Sequence, residues 1–163
     1  MTRAFLGLGS NLGERLENLR RAVTLLGERG LSVLRSSRVY ETDPVGGPPQ
    51  PDYLNAVIEV ETDGSARELL DACLGAEREM GRERTERWGP RVIDLDVLTF
   101  GEERIDEPGL EIPHPRMHER AFALVPLLEL DADPPLPGDR SVATLRLGAM
   151  SLGGVRPFAP PLV

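Results

Sequence analysis

Val92-Ile93-Asp94-Leu95-Asp96-Val97-Leu98-Thr99-Phe100 decides the fold. The run is rich in β-formers and alternates, so it reads as a strand. Side chains on a strand point to opposite faces in turn, which sends Ile93, Leu95 and Val97 into a core and sets Asp94 and Asp96 on the other face. Toward the N-terminus lies a polar, arginine-rich loop, 81–91, and before it a helix. That helix opens on a Ser65-x-x-Glu68 capping box, carries Leu69, Leu70, Cys73, Ala76 and Met80 on its apolar side, and stops at Gly81. Further back, Tyr53 to Thr62 and Val33 to Thr42 read as two strands. The Pro/Gly-rich stretch Asp43 to Asp52 between them is too long for a tight hairpin. Leu16, Leu19, Val23 and Leu26 fall at i, i+3, i+7 and i+10 on one helical face, preceded by an Asn11/Glu14 capping pair. Ala4 to Leu8 reads as a buried strand ending in a Gly9-Ser10-Asn11 turn. The order β-α-β-β-α-β predicts an α+β, ferredoxin-like split βαβ fold, a mostly antiparallel sheet with helices packed on it. Downstream, Gly101-Glu102-Glu103 predicts a turn into a short strand at Arg104 to Ile105, and Arg116 to Leu130 a helix kinked or split by Pro126.

The whole chain, 1–163, fits one domain by length, with 131–163 as a Pro/Gly-rich tail that adds cover and one short helix near Ser141 to Leu147. Hydrophobic residues make up 40%, enough for one core without disulfides or metal staples. A formal charge of −8 disfavours a general nucleic-acid binder, which needs a basic face to displace phosphate counterions. No apolar run approaches the roughly 20 residues that span a bilayer, and no signal-peptide pattern opens the chain, so a cytoplasmic, monomeric protein is expected. The single cysteine, Cys73, rules out an internal disulfide and a multi-Cys zinc site. All 19 basic residues are arginine. Without lysine there is no Walker A loop and no Schiff base, and any phosphate must be held by planar guanidinium forks.

Asp94 and Asp96 have Cα atoms roughly 6.6 Å apart if the strand is regular, so their carboxylates can turn to a common point. Adjacent carboxylates repel unless a cation compensates, and hard oxygen donors suit Mg²⁺. A solvated polar face is the competing reading of the pair. Arg82, Arg84, Arg87 and Arg91 directly precede the strand. Metal-bridged phosphates beside arginines are what phosphoryl transfer requires, and Gly81, Gly89 and Pro90 could let the loop close as a lid. Trp88, the sole tryptophan, lies in this polar loop as a stacking group. Tyr53 and Asn55 share a strand face, and a planar heterocycle could stack there. Gly7-x-Gly9-x-x-x-Gly13 is one residue too long for the dinucleotide fingerprint. His114 is flanked by prolines, so it shares no helical face with His118. A phosphate contact and a plain surface histidine are both open readings of it.

The segment Arg87-Trp88-Gly89-Pro90-Arg91-Val92-Ile93-Asp94-Leu95-Asp96-Val97-Leu98 closely resembles the signature of the 6-hydroxymethyl-7,8-dihydropterin pyrophosphokinases of folate biosynthesis. Gly9-Ser10-Asn11-Leu12, Tyr40-x-Thr42, Gln50 to Ala56 and Pro113-His114 resemble further motifs of that family, in its order. The resemblance implies a ferredoxin-like fold and transfer of pyrophosphate from ATP to the pterin hydroxymethyl oxygen, releasing AMP. It implies two Mg²⁺ ions on Asp94 and Asp96, with Arg82 and Arg91 neutralising the transferred group. On the pterin side it implies Thr42, Pro44, Val45, Tyr53, Asn55, Trp88 and Phe122. On the nucleotide side it implies Glu77, Arg82, Arg84, Trp88, Arg91, Val97, His114 and Arg120. Leu74, Gly109, Glu111 and Pro115-Arg116 depart from the family pattern. Two other readings remain: a different Mg²⁺-dependent phosphoryl- or nucleotidyl-transferase, and a non-catalytic ligand-binding module.

Overall fold

Residue alternation in the two central strands gives the sheet two unlike faces. In the computed structural model, which describes residues 1–44, 48–81, 91–142 and 154–163, β1 (Thr2–Ser10) runs antiparallel to β4 (Tyr53–Thr62) with Leu6 opposite Ile58. β5 (Asp94–Phe100) lies on the other side of β1. β2 (Ser32–Ser36) and β3 (Val39–Thr42) pair with successive parts of β4. β8 (Val155–Ala159) adds to β3, so the described residues form a six-stranded antiparallel sheet in the order β5-β1-β4-β3-β8 with β2 also on β4. The ferredoxin-like order read from the sequence is the order of this sheet.

One face carries α1 (Arg15–Glu28) and α2 (Ala66–Glu79). Ala4, Leu6 and Leu8 of β1, Ile58 and Val60 of β4, and Leu95 and Val97 of β5 meet Leu19, Leu26, Leu69 and Cys73 there. Removing each leucine from water contributes about 2 kcal/mol, and this cluster is the main apolar contribution to stability. On the opposite face α3 (Ala121–Leu130) covers only one end, packing Leu124 and Leu127 on Phe5, Val57 and Leu98. Among the described residues, the other end of that face is a cleft. A small hairpin, β6 (Ile105–Glu107) with β7 (Leu110–Ile112), precedes a short 3-10 turn at Met117–Glu119.

The Ser65/Glu68 capping box forms as the sequence predicts, each side chain taking up the other residue's N–H. Four other expectations are corrected. The strand expected over Val33 to Thr42 breaks at Ser37, whose N–H bonds the Val57 carbonyl and whose Oγ accepts from Val57 N–H. The hydroxyl thus takes a ladder position while the backbone kinks. β1 continues through Gly9 to Ser10 instead of turning at Gly9. Asn11 makes no helix cap: α1 begins after Glu14, which has no side-chain cap bond. The break expected at Pro126 lies at Arg120, between the 3-10 turn and α3, and Pro126 is buried inside the helix. The tail, read as cover, supplies the edge strand β8. Its Pro157 is tolerated at a sheet edge, where one missing N–H faces no partner strand. The short helix expected near Ser141 to Leu147 lies largely outside the described residues.

Candidate active site

The open end of the α3 face is a cleft of about 370 Å³. Its floor follows from strand register. Asp94 stands opposite Gly9 and Asp96 opposite Gly7, so the strand beside the two aspartates presents no side chain. Across β1, Gly9 faces Asn55, and a Cβ added at Gly9 would come within 2.8 Å of Asn55 Nδ2. Asn55 could not easily give way. It is buried, accepts from Thr42 Oγ1 at 2.5 Å and donates to the Leu8 carbonyl at 3.3 Å. Glycine at this position therefore lets the Asn55 amide pack against β1.

The cleft collects most of the residues singled out from the sequence. Thr42, Pro44, Tyr53, Asn55, Arg91, Asp94, Asp96, His114, Arg120 and Phe122 all line it. Tyr53 and Phe122 bring aromatic rings from β4 and from the first turn of α3, and the Arg120 guanidinium lies 5.6 Å from the Phe122 ring. Carboxylates sit on the β5 side, while Arg91, Arg116 and Arg120 supply positive charge around them. Glu77 and Val97 are not in the lining. Val97 belongs to the core on the helix side of β5. Glu77 is 4% exposed, and its Oε2 accepts the Leu95 N–H at 2.9 Å, between the two aspartates. It thus fixes the strand that aims them. Val45, Arg82, Arg84 and Trp88 lie outside the described residues.

Sequence reasoning missed two members of this site. Arg116 lines the cleft from a proline-flanked loop whose geometry no periodicity encodes. Asn11, 1% exposed, ties three segments together. Its Oδ1 accepts from Arg91 N–H at 2.7 Å, its own N–H bonds the Arg91 carbonyl, and its Nδ2 donates to Gln50 Oε1 and the Pro51 carbonyl, both at 2.9 Å. The Asn-x-x-Glu spacing pointed to a local cap, whereas the contacts are long-range.

The surroundings of His114 alter its titration strongly. Burial, then the nearby Arg120 and Arg116 guanidinium charges, push its pKa down from 6.5 to about 4. Its Nδ1 accepts from Arg116 N–H at 3.2 Å, which leaves Nε2 as an uncharged N–H donor. Between pH 6.5 and about 4 the unfolded chain binds a proton that the folded one refuses. Stability from this residue is thus complete above pH 6.5, falls as pH drops through that window, and levels off below it, a loss of at most about 3 kcal/mol. The expected NMR result is a His114 ring signal that stays flat from pH 8 to 5.5; a midpoint near 6.5 would contradict this environment.

Among the described residues no group of three or more His, Cys, Asp or Glu side chains converges as a metal cage. The donor set that is present, two carboxylates facing a cleft, suits Mg²⁺, which binds through one or two carboxylates and completes its shell with water and substrate phosphates. The arrangement can hold a planar ring at one end and a metal-bridged polyphosphate at the other.

Residues 5–132 match the family described as 7,8-dihydro-6-hydroxymethylpterin-pyrophosphokinase (HPPK). The chain is 47% identical over 128 residues to a 2-amino-4-hydroxy-6-hydroxymethyldihydropteridine pyrophosphokinase of Bacillus subtilis, covering 78% of this chain and 77% of that one. It is 40% identical over 146 residues to the protein of the same name from Haemophilus influenzae, covering 89% and 91%. Among solved structures, a Plasmodium falciparum HPPK-DHPS chain superposes with a TM-score of 0.69 at 16% identity, covering 93% of this chain and 44% of that longer one. At that identity the likeness is one of fold alone, and this chain spans less than half of the longer polypeptide.

Proposed function

This chain belongs to the 7,8-dihydro-6-hydroxymethylpterin-pyrophosphokinase family, and from that membership we infer that it transfers pyrophosphate from ATP to 6-hydroxymethyl-7,8-dihydropterin in folate synthesis. The observation that carries the reading is the convergence of Asp94 and Asp96 with Tyr53, Asn55 and Phe122 in one cleft. The hydroxymethyl oxygen attacks the β-phosphorus and gives up its proton to solvent, the bond from that phosphorus to the α,β-bridging oxygen breaks, and AMP leaves.

The chain's own groups divide the work by position. Tyr53 and Phe122 stack the pterin ring, and Thr42 and Asn55 exchange their mutual bond for bonds to its edge. Held so, the hydroxymethyl arm points along the glycine floor toward the aspartates, and positioning of this kind is most of what phosphoryl transfer needs. Asp94 and Asp96 would hold the Mg²⁺, two ions in this reading, and bound metal would supply charge neutralisation for the phosphates and for the attacking and leaving oxygens. Arg91 and Arg120 offer guanidinium forks to phosphate oxygens, and neutral His114 donates from Nε2 without adding a charge that would titrate near neutrality. Arg82, Arg84 and Trp88 are further substrate-binding groups in this reading, and Glu77 holds the Leu95 N–H between the two aspartates. ATP and the pterin are the expected partners.

Two outcomes follow for metal removal. With excess EDTA, AMP formation from ATP and the pterin stops, and Mg²⁺ restores it; chromatography of the nucleotides reads both. Unchanged AMP formation without divalent metal would contradict the role given to Asp94 and Asp96. The alternative reading, a ligand-binding module whose carboxylates are a solvated face, predicts no AMP under either condition.

A further inference from the structure

The strand β8 lies beyond residues 5–132, the part of the chain that matches the family. Yet its contacts reach the pterin end of the cleft. Thr42 stands opposite Val155 and Glu41 opposite Arg156, and Asp43 N–H donates to the Gly154 carbonyl at 3.0 Å. The Arg156 guanidinium bonds three carboxylates at once: Nε to Glu41 at 3.3 Å, one terminal nitrogen to Asp43 at 3.1 Å, the other to Asp52 at 2.7 Å. Asp43 follows the last residue of β3, and Asp52 precedes the first residue of β4. One planar group thus bridges both ends of the connection between those strands.

Each end is attached to a cleft residue. Thr42 adjoins Asp43, Tyr53 adjoins Asp52, and Thr42 and Tyr53 are register partners. Three carboxylates gathered in one patch repel each other unless cations lie between them. Arg15 answers for Glu41, at 2.9 Å, and donates to the Asp52 carbonyl. Arg156 is the group seen to pair the carboxylates of Asp43 and Asp52, and Asp43 itself lines the cleft. Gly154 allows the close approach: a Cβ there would sit 2.9 Å from the Asp43 carboxylate. An isolated exposed ion pair contributes little, but a fork that spans three anions fixes geometry as well as charge.

We propose that Arg156 is a positioning residue for pterin binding: it ties down the Asp43 carboxylate at the cleft wall and locks Thr42 and Tyr53 at the spacing that the ring and its edge require. The inference rests on the pterin reading of this end of the cleft. In steady-state assays of the full chain, Arg156→Ala raises KM for the pterin about tenfold, while kcat and KM for ATP stay within twofold of the parent. Arg156→Lys recovers part of the loss, because an ammonium keeps the charge but cannot span three carboxylates. Asp52→Asn raises the same KM, and combining it with Arg156→Ala adds nothing further, since the Asp52–Arg156 pair is already absent once Arg156 is removed. Thermal unfolding of each variant separates this from a merely structural role, which lowers the active fraction and hence kcat with both KM values unchanged. A pterin KM within twofold of the parent in Arg156→Ala overturns the inference, as does full additivity in the double variant. Lack of AMP formation by the unsubstituted chain would instead overturn the activity on which it stands.

Discussion

Asp94→Ala abolishes turnover, lowering kcat by about 10³-fold or more, while the pterin still binds with measurable affinity. The magnitude follows from removing one of two carboxylates that compensate concentrated charge in the transition state, a loss of the size seen when a preorganised electrostatic contact is deleted. The separation of effects follows from position. Asp94 lies on β5 opposite Gly9, whereas the ring site lies across the glycines, on β4 and α3. Alanine is also compatible with the strand, because the position is only half-buried and the helix-side core is formed by Leu95 and Val97. Turnover by rapid quench and pterin affinity by fluorescence titration make the comparison. Parallel loss of both, with a lowered unfolding temperature, would make Asp94 a structural residue instead.

Asn11→Ala produces the second large effect, and it acts on both substrates and on stability together. The side chain is fully buried and makes three hydrogen bonds that join β1 to the segment before β4 and to Arg91 before β5. Truncation leaves the Arg91 N–H and the Pro51 carbonyl without these partners; both are only partly buried, so water offsets part of the loss and each bond removed costs about 1 kcal/mol. An unfolding free energy lower by roughly 2–4 kcal/mol is expected, read from urea melts. A tenfold or greater fall in kcat/KM for ATP and for the pterin accompanies it, because Arg91 and Gln50 both line the cleft. Asn11→Asp separates the parts: it keeps an acceptor for Arg91 N–H and loses the donor to Gln50 and Pro51. The aspartate should therefore harm pterin binding more than ATP binding. Equal loss on both sides would show that the three bonds act as one structural unit.

Legibility in the sequence follows the range of the interactions. β1 could be read as a short apolar run and β4 and β5 from β-forming residues in alternation, and the period of two put Asp94 with Asp96 and Tyr53 with Asn55 on shared faces. The Ser65/Glu68 box could be read because both partners lie within one turn. Features set by distant partners could not. Ser37 breaks a strand because its hydroxyl substitutes in a ladder with Val57, twenty residues away. Asn11 looks like a cap until its contacts, 39 to 80 residues distant, are seen. The bulge between β5 and β1 at Leu98 shifts the alternation, so that Phe100 rather than Thr99 enters the helix-side core. β8 was invisible because Val155-Arg156-Pro157-Phe158-Ala159 has a proline at its centre and too little alternation to separate it from the surrounding tail. The family resemblance supplied residue roles where periodicity was silent, but it stops short of β8, so Arg156 emerged only from the fold.

The measurement that bears most directly on the account is ³¹P NMR of the unsubstituted chain with ATP, Mg²⁺ and 6-hydroxymethyl-7,8-dihydropterin. The predicted result is stoichiometric AMP together with a pterin diphosphate, two coupled phosphorus signals on one new ester, as attack on the β-phosphorus requires. ADP with a pterin monophosphate would place attack on the γ-phosphorus and contradict the account, and unchanged ATP beside folded protein and intact reduced pterin would contradict it altogether.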